Sequence, residues 1–280
     1  MPRTGLSVRT FQSLLFRRSV NNDEYHADPA VSASHLHAVA KSPAHYYARY
    51  IDPNRKPTIP TAAMKLGTLV HTAVLEPDEV YKRYAVCPPR NTKAGKEAAA
   101  EMAANGIEAV TQSDWDMARD MCEAVYAHPI AAELLSEGAP EQSIWWTDPT
   151  TKQRCKCRPD WLKGDGTIID LKTTQDASAN SFAKSVANFR YHVQQAHYQN
   201  GTGAERFIFI AVEKFPPYGV GIYELDAEAV AEGSRLAARD LRRIATCHQI
   251  NEWSGYSPAI TPLSLPTWAY NGDIISPEDF

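Results

Sequence analysis

The chain has 280 residues, 44% hydrophobic and 22% charged. That is enough apolar material for a large core, and it excludes an intrinsically disordered chain. A formal net charge of −4 argues against a general basic coat for nucleic acid, although a whole-chain sum leaves room for a local basic groove.

The first 26 residues, MPRTGLSVRTFQSLLFRRSVNNDEYH, carry arginines and a short apolar patch. The patch is too short for a signal peptide and is followed by no small-residue cleavage site, so residues 1–20 are expected to form a flexible arm. No apolar run is long enough to span a bilayer, so no membrane partner is expected. The five cysteines (Cys87, Cys122, Cys155, Cys157, Cys247) are odd in number and contain no CxxC. A disulfide framework is therefore not expected, and a cytoplasmic setting is the simplest. Cys155 and Cys157 share one face of a strand; two buried thiols are a better reading than half a metal site.

In chain order, residues 31–50 read as a helix starting near Ser32 or Ser34, with Pro43 opening a second. Residues 55–63 are a loop. Leu66, Leu69, Val70, Ala73 and Val74 have helical spacing, ended by Pro77. Residues 93–105 and 111–135 are helical, with a break at Pro129 and a capping box from Thr111 to Asp114. The period then changes to short β-rich runs: QSIWWTD, RCKCRPDWL, TIIDLKT, RFIFIAVE and GVGIYEL. DPTTKQ and KGDG are natural hairpin turns. A helical stretch, roughly 177–200, separates the third and fourth strands, and a last helix runs from Asp226 to about Trp253, with alternating charges on its outer face. The order predicts an α/β (α+β) fold: one domain over residues 21–270 with a central mixed β-sheet flanked by helices, and a tail at 271–280.

The chemistry centres on RPDWLKGDGTIIDLKTT, residues 158–174. Asp170 and Lys172 lie two apart on one strand and share a face. A hairpin through KGDG brings Asp160 alongside. Two carboxylates that close repel unless a cation or proton intervenes, and hard oxygen ligands suit Mg²⁺, with Mn²⁺ as a substitute. A lysine beside them can neutralise charge developing on a phosphate, so the set fits metal-assisted phosphodiester hydrolysis. The pattern alone is weak, because a surface hairpin with Asp and Lys is common. Yet Asp170 sits among Ile168, Ile169 and Leu171, and a buried carboxylate needs a partner. His71 lies in an apolar helix, where a lone histidine is more often a satisfied core residue than a ligand. Gln194 and Tyr198, at i and i+4 on one helix face, read equally as substrate contacts or as an ordinary surface pair.

Taken in order, His71, Pro159-Asp160, Asp170-Leu171-Lys172, and Gln194 with Tyr198 resemble the motifs of the PD-(D/E)xK nuclease superfamily, in its RecB-like branch. NNDEYHADPAVSASHL, LGTLVHTAVLEPDE, NTKAGKE, SIWWTDPTT, CKCRPD, DLKTT, FRYHVQQAHY and LSLPTWA further resemble the catalytic domains of the exodeoxyribonuclease VIII (RecE-type) family. The likeness spans about residues 21–270. It implies a restriction-endonuclease-like core and Mg²⁺-dependent 5′→3′ digestion of linear double-stranded DNA. The 3′ single strand left behind would pass to a recombinase of the single-strand annealing type. It also implies that His71, Asp160, Asp170 and the Leu171 carbonyl hold the metal, and that Lys172 positions the attacking water. Gln194 and Tyr198 would orient the site, and the subunits would assemble as a toroidal homotetramer. Asp170 stands where many superfamily members have Glu, as in the RecE-type pattern. The cysteines do not fit the branch that carries an iron–sulfur cluster. Arg158, Lys184, Arg190, Lys93 and Lys96 are candidate DNA contacts. An endonuclease or nicking enzyme on the same fold, and a non-catalytic DNA-binding protein, are the alternatives.

Overall fold

The computed structural model describes residues 16–18, 20–57 and 59–266; most of the expected N-terminal arm and the 271–280 tail lie outside them. The described chain runs β1 (Phe16–Arg18), α1 (Asn22–Ala27), α2 (Ala33–Lys41) and α3 (Pro43–Tyr46), which widens into a π-turn over Tyr47–Ile51. Next come α4 (Ala62–Leu75), α5 (Pro77–Arg83), β2 (Tyr84–Val86), α6 (Lys93–Ala104), β3 (Glu108–Val110), α7 (Gln112–Ala127) and α8 (Pro129–Leu134). The strand-rich half holds β4 (Ala139–Pro140), β5 (Ser143–Thr147), β6 (Arg154–Cys157), β7 (Trp161–Leu162) and β8 (Ile168–Thr174). It closes with α9 (Ala179–Phe189), α10 (Tyr191–Thr202), β9 (Phe207–Glu213), β10 (Val220–Tyr223) and α11 (Ala227–Ile250). Among these helices none is long and apolar enough to cross a membrane.

Local chemistry explains most boundaries. Ser42 caps α3, with Pro43 at its first position, where the missing N–H costs nothing. Thr111 accepts the Asp114 N–H and donates to its carboxylate at 2.7 Å. Pro77 ends α4 and also begins α5. The expected single helix over 177–200 is two, because Arg190 adopts a left-handed φ of 59° and turns the chain.

The central sheet is mixed, as expected, in the order β10-β9-β8-β7-β4, with β8 and β9 parallel and the other pairs antiparallel. A parallel pair needs a long crossover; α9 and α10 supply it. Both faces of the sheet are covered. Ile168, Phe207 and Phe209 pack with Leu36, Val193, Leu241 and Ile244 on one side. Ile169, Leu171, Ile210 and Val212 pack with Leu69, Val70, Met121 and Val125 on the other. This two-sided burial is why FIFIAV reads as an unbroken apolar run. Burying those groups is the main source of stability, at roughly 25 cal/mol per Å² of apolar surface.

RCKCRPDWL does not form one strand. β6 pairs with β5 in a separate three-stranded sheet, β1-β5-β6, while β7 joins the central sheet. Pro159 lies between them; it has no N–H for a ladder, and the chain changes sheets there. Cys155 and Cys157 are fully buried, and burial pushes the Cys155 thiol up to about 12. Two close approaches fix α10: an added Cβ at Gly201 would lie 2.4 Å from the Trp146 ring, and one at Gly233 of α11 would lie 2.2 Å from the His192 carbonyl oxygen.

Candidate metal centre

The break at Pro159 builds the site. β7 pairs with β8 only at Trp161–Ile169 and Leu162–Ile168, so the edge of β8 is open beyond Ile169. A strand residue points its N–H and C=O to the same edge. Leu171 therefore presents both groups to the gap. Its N–H donates to Asp160 Oδ2 at 2.8 Å, and its carbonyl faces the His71 ring.

Residues from both faces of the sheet converge there. α4 brings His71, whose Nδ1 lies 3.5 Å from Asp160 Oδ2. β8 brings Asp170, fully buried, and Lys172, whose ammonium lies against Asp170 Oδ1. From α10, Gln194 donates through Nε2 to Asp170 Oδ2 at 2.6 Å. Lys172 Nζ also stands 4.6 Å from the centre of the Tyr191 ring. Tyr198 is packed against Phe207. Burial raises its phenol well above the usual value, and the charges of Asp170 and Asp160 push the same way.

The sequence reading missed Glu141. It follows β4 with a left-handed φ of 50°, a conformation costing a non-glycine residue roughly 1–2 kcal/mol. Its N–H donates to the Asp160 carbonyl at 3.1 Å, which turns the side chain toward Asp160. Ligand atoms of His71, Glu141 and Asp160 all lie within 4.8 Å of one another. No local spacing signals Glu141, because it is 19 residues from Asp160 and reaches it only through the β4–β7 pairing.

The electrostatics are those of a cation site. Burial raises Asp160 to about 6 against the pull of Lys172, and burial with the Asp160 charge raises Asp170 to about 6. Burial and then Asp160 push Glu141 up to about 8. Burial, with Lys172 beside it, lowers His71 to about 4, so the imidazole is neutral and free to ligate at neutral pH. Burial opposes the Lys172 charge, but Asp170 and Asp160 outweigh it and its pKa rises. Asp160 and Asp170 share the Lys172 ammonium, while Glu141 Oε2 lies 3.9 Å from the Arg158 guanidinium. Two carboxyl groups and a neutral imidazole within ligand reach suit a divalent cation, which displaces the proton.

The candidate DNA contacts are dispersed. Arg158 is committed inside the fold: Nε donates to Ser143 Oγ at 2.8 Å, Nη2 donates to the Val20 carbonyl, and the guanidinium stands over Tyr25. Arg190 is likewise spent on the Leu36 carbonyl and on buried Asp240. Lys93 and Lys96 are exposed at the start of α6, which packs on β3, and Lys93 lies 3.8 Å from Glu97. Lys184 is exposed on α9. Internal hydrogen bonds to carbonyls and carboxylates leave Arg158 and Arg190 few donors for a phosphate backbone.

A fold with this notch and this acid–lysine pair is that of the PD-(D/E)xK class. Residues 32–263 match the model of a PDDEXK-like domain of unknown function, DUF3799; the chain belongs to that family. Among solved structures, it is similar to a Eubacterium rectale protein provisionally assigned as an exonuclease, with a TM-score of 0.60 and 13% identity. That match covers 92% of this chain and all of the other. SSO0001 is more distant, with a TM-score of 0.29 and 15% identity over 63% of this chain and 86% of that one. No curated protein matches the sequence.

Proposed function

We propose that the protein is a metal-dependent deoxyribonuclease. The observation that carries this reading is the convergence of His71, Glu141 and Asp160 beside the buried Asp170–Lys172 pair. His71, Glu141 and Asp160 would hold the ion, with Asp170 and the Leu171 carbonyl as further oxygen donors. When bound, Mg²⁺ supplies a Lewis acid for the scissile phosphate; Mn²⁺ would substitute. Lys172 donates hydrogen bonds to the attacking water or to the phosphate oxygen that gains charge. Gln194 fixes the Asp170 carboxylate, and Tyr198 backs it from the core. The apolar surroundings keep bulk water from screening these charges.

The finer reading follows the resemblance to the RecE-type family. The substrate is linear double-stranded DNA, digested 5′→3′ to leave a 3′ strand for a single-strand annealing recombinase. The working form is a toroidal homotetramer in the cytoplasm. The E. rectale protein, itself provisionally assigned as an exonuclease, supports the same class of activity.

The test is digestion of linear duplex DNA labelled at the 5′ or the 3′ end, beside covalently closed circles, with Mg²⁺ or EDTA. Metal-dependent loss of the 5′ label with circles intact, abolished in Asp160→Ala, is the expected result. Cut circles would replace the exonuclease with an endonuclease. No cleavage with any divalent metal would leave a DNA-binding protein on a nuclease fold.

A further inference from the structure

Next to Lys172, beyond the metal centre, a cleft of about 420 Å³ opens between the C-terminal end of β8 and helix α9. That volume lies within the range of small-ligand sites. Its walls divide by chemistry. On one side are the rings of Phe189 and Tyr191, 5.6 Å apart and stacked at 29°. Tyr191 is half-buried and carries Lys172 against its face, but Phe189 is 60% exposed. An aromatic ring left in water beside a packed one offers a free π-face. On the other side are the hydroxyl side chains of Ser181 and Ser185, and Lys214. Lys214 has no carboxylate within ion-pair distance among the described residues. The carboxyl group in the cleft, Asp176, is committed to the Ser178 N–H at 2.8 Å and to Ser181.

We propose that this cleft seats one nucleotide, its base stacked on Phe189 and its phosphate held by Lys214, next to the bond that Lys172 attends. The inference deepens the nuclease reading and rests on it. A terminal nucleotide drawn out of the duplex stack toward the scissile bond loses its stacking partner and gains from a new one. An exposed phenylalanine is a sequence-tolerant platform for that, because every base has a π-face. Lys214 supplies charge on a flexible stem without base discrimination.

The test reads nucleotide binding without cleavage. 2-Aminopurine deoxyribonucleoside 5′-monophosphate is titrated into the whole protein, and its fluorescence quenching is followed, with the unphosphorylated nucleoside in parallel. Wild type is expected to quench the monophosphate. Phe189→Ala is expected to bind it roughly tenfold or more weakly, and Phe189→Trp to keep binding, as base–aromatic stacking implies. Lys214→Ala is expected to remove the preference for the monophosphate over the nucleoside. Because Phe189 is exposed, its replacement leaves the core intact, and a melting curve checks this. No quenching by wild type, or equal binding by Phe189→Ala, overturns the proposal. The end-label digestion assay separates the two failures: cleavage without nucleotide binding sinks this cleft alone, whereas nucleotide binding without cleavage sinks the nuclease reading.

Discussion

Two buried aspartates in this molecule, Asp170 and Asp240, are both fully shielded from solvent and both face cations. Asp240, on α11, is gripped by two guanidinium groups. Arg190 meets one oxygen, and Arg239 meets the other at 2.7 Å. The pair ties α11 to the junction of α9 and α10, and both carboxylate oxygens are met by guanidinium N–H groups. Asp170 has one ammonium, shared with Asp160, and a neutral amide from Gln194. Its carboxyl is held up at about 6. The first cluster is complete within the chain, whereas the second carries more acid than its own residues neutralise. That imbalance separates a structural ion pair from a candidate cation site.

The largest effect should come from removing Lys172 or Asp170. Lys172→Met and Asp170→Asn are expected to lower DNA cleavage by roughly 10²–10³-fold or more, with the circular dichroism spectrum of the fold retained. If either variant cleaves as wild type does, the two clusters are equivalent and the comparison fails.

Asp240→Ala should do the reverse. It strands two guanidinium groups, one of them in the interior, and should cost about 3–5 kcal/mol of stability. The turnover of the remaining folded enzyme should not change. Urea unfolding with active-site titration separates the two effects.

Asp160→Asn should raise the stability of the metal-free protein. A carboxyl whose pKa is raised on folding holds its proton more tightly in the folded state. Ionising it above a pH of about 6 therefore weakens the fold. Below the unfolded value of 3.8 both states are protonated and the cost disappears. At ~1.4 kcal/mol per tenfold change in acidity, the gain is at most about 3 kcal/mol at pH 8. It should shrink toward pH 4, as denaturation in EDTA at the two pH values would show. A variant less stable than wild type at pH 8 would mean that Asp160 is a satisfied structural group, like Asp240.

The smallest effect concerns the ligand that was not foreseen. Protons compete with a cation for Glu141 as well as for Asp160 and Asp170, so Mn²⁺ affinity measured by calorimetry should fall by at least roughly tenfold between pH 7 and pH 5.5. Glu141→Gln should weaken it by a further ~10-fold at pH 7. An unchanged affinity would remove Glu141 from the metal centre.

Much of this architecture was legible in one dimension. The apolar run FIFIAV marked a strand, which the structure buries on both faces. Ser42-Pro43, Thr111-Asp114 and Pro77 marked helix ends through bonds formed within a few residues. PD and DLK identified the acid–lysine pair, because alternation along a strand puts Asp170 and Lys172 on one face whatever the rest of the chain does. Basic candidates were less legible. Sequence shows that a residue is arginine, but not whether its donors are already used, and Arg158 and Arg190 spend theirs inside the fold.

By itself, then, the sequence determined the mixed sheet, the helix caps and the strand-borne pair, since these depend on short-range sterics, periodicity and hydrogen bonding. Only the tertiary structure decided that the chain changes sheets at Pro159, leaving the Leu171 edge open for Asp160. It alone brought Glu141 and His71 to that edge, from β4 on one side and α4 on the other. The physical reason is that a metal centre is a meeting of long-range neighbours. Their proximity is set by how two sheets and the helices between them pack, and no local spacing encodes that distance.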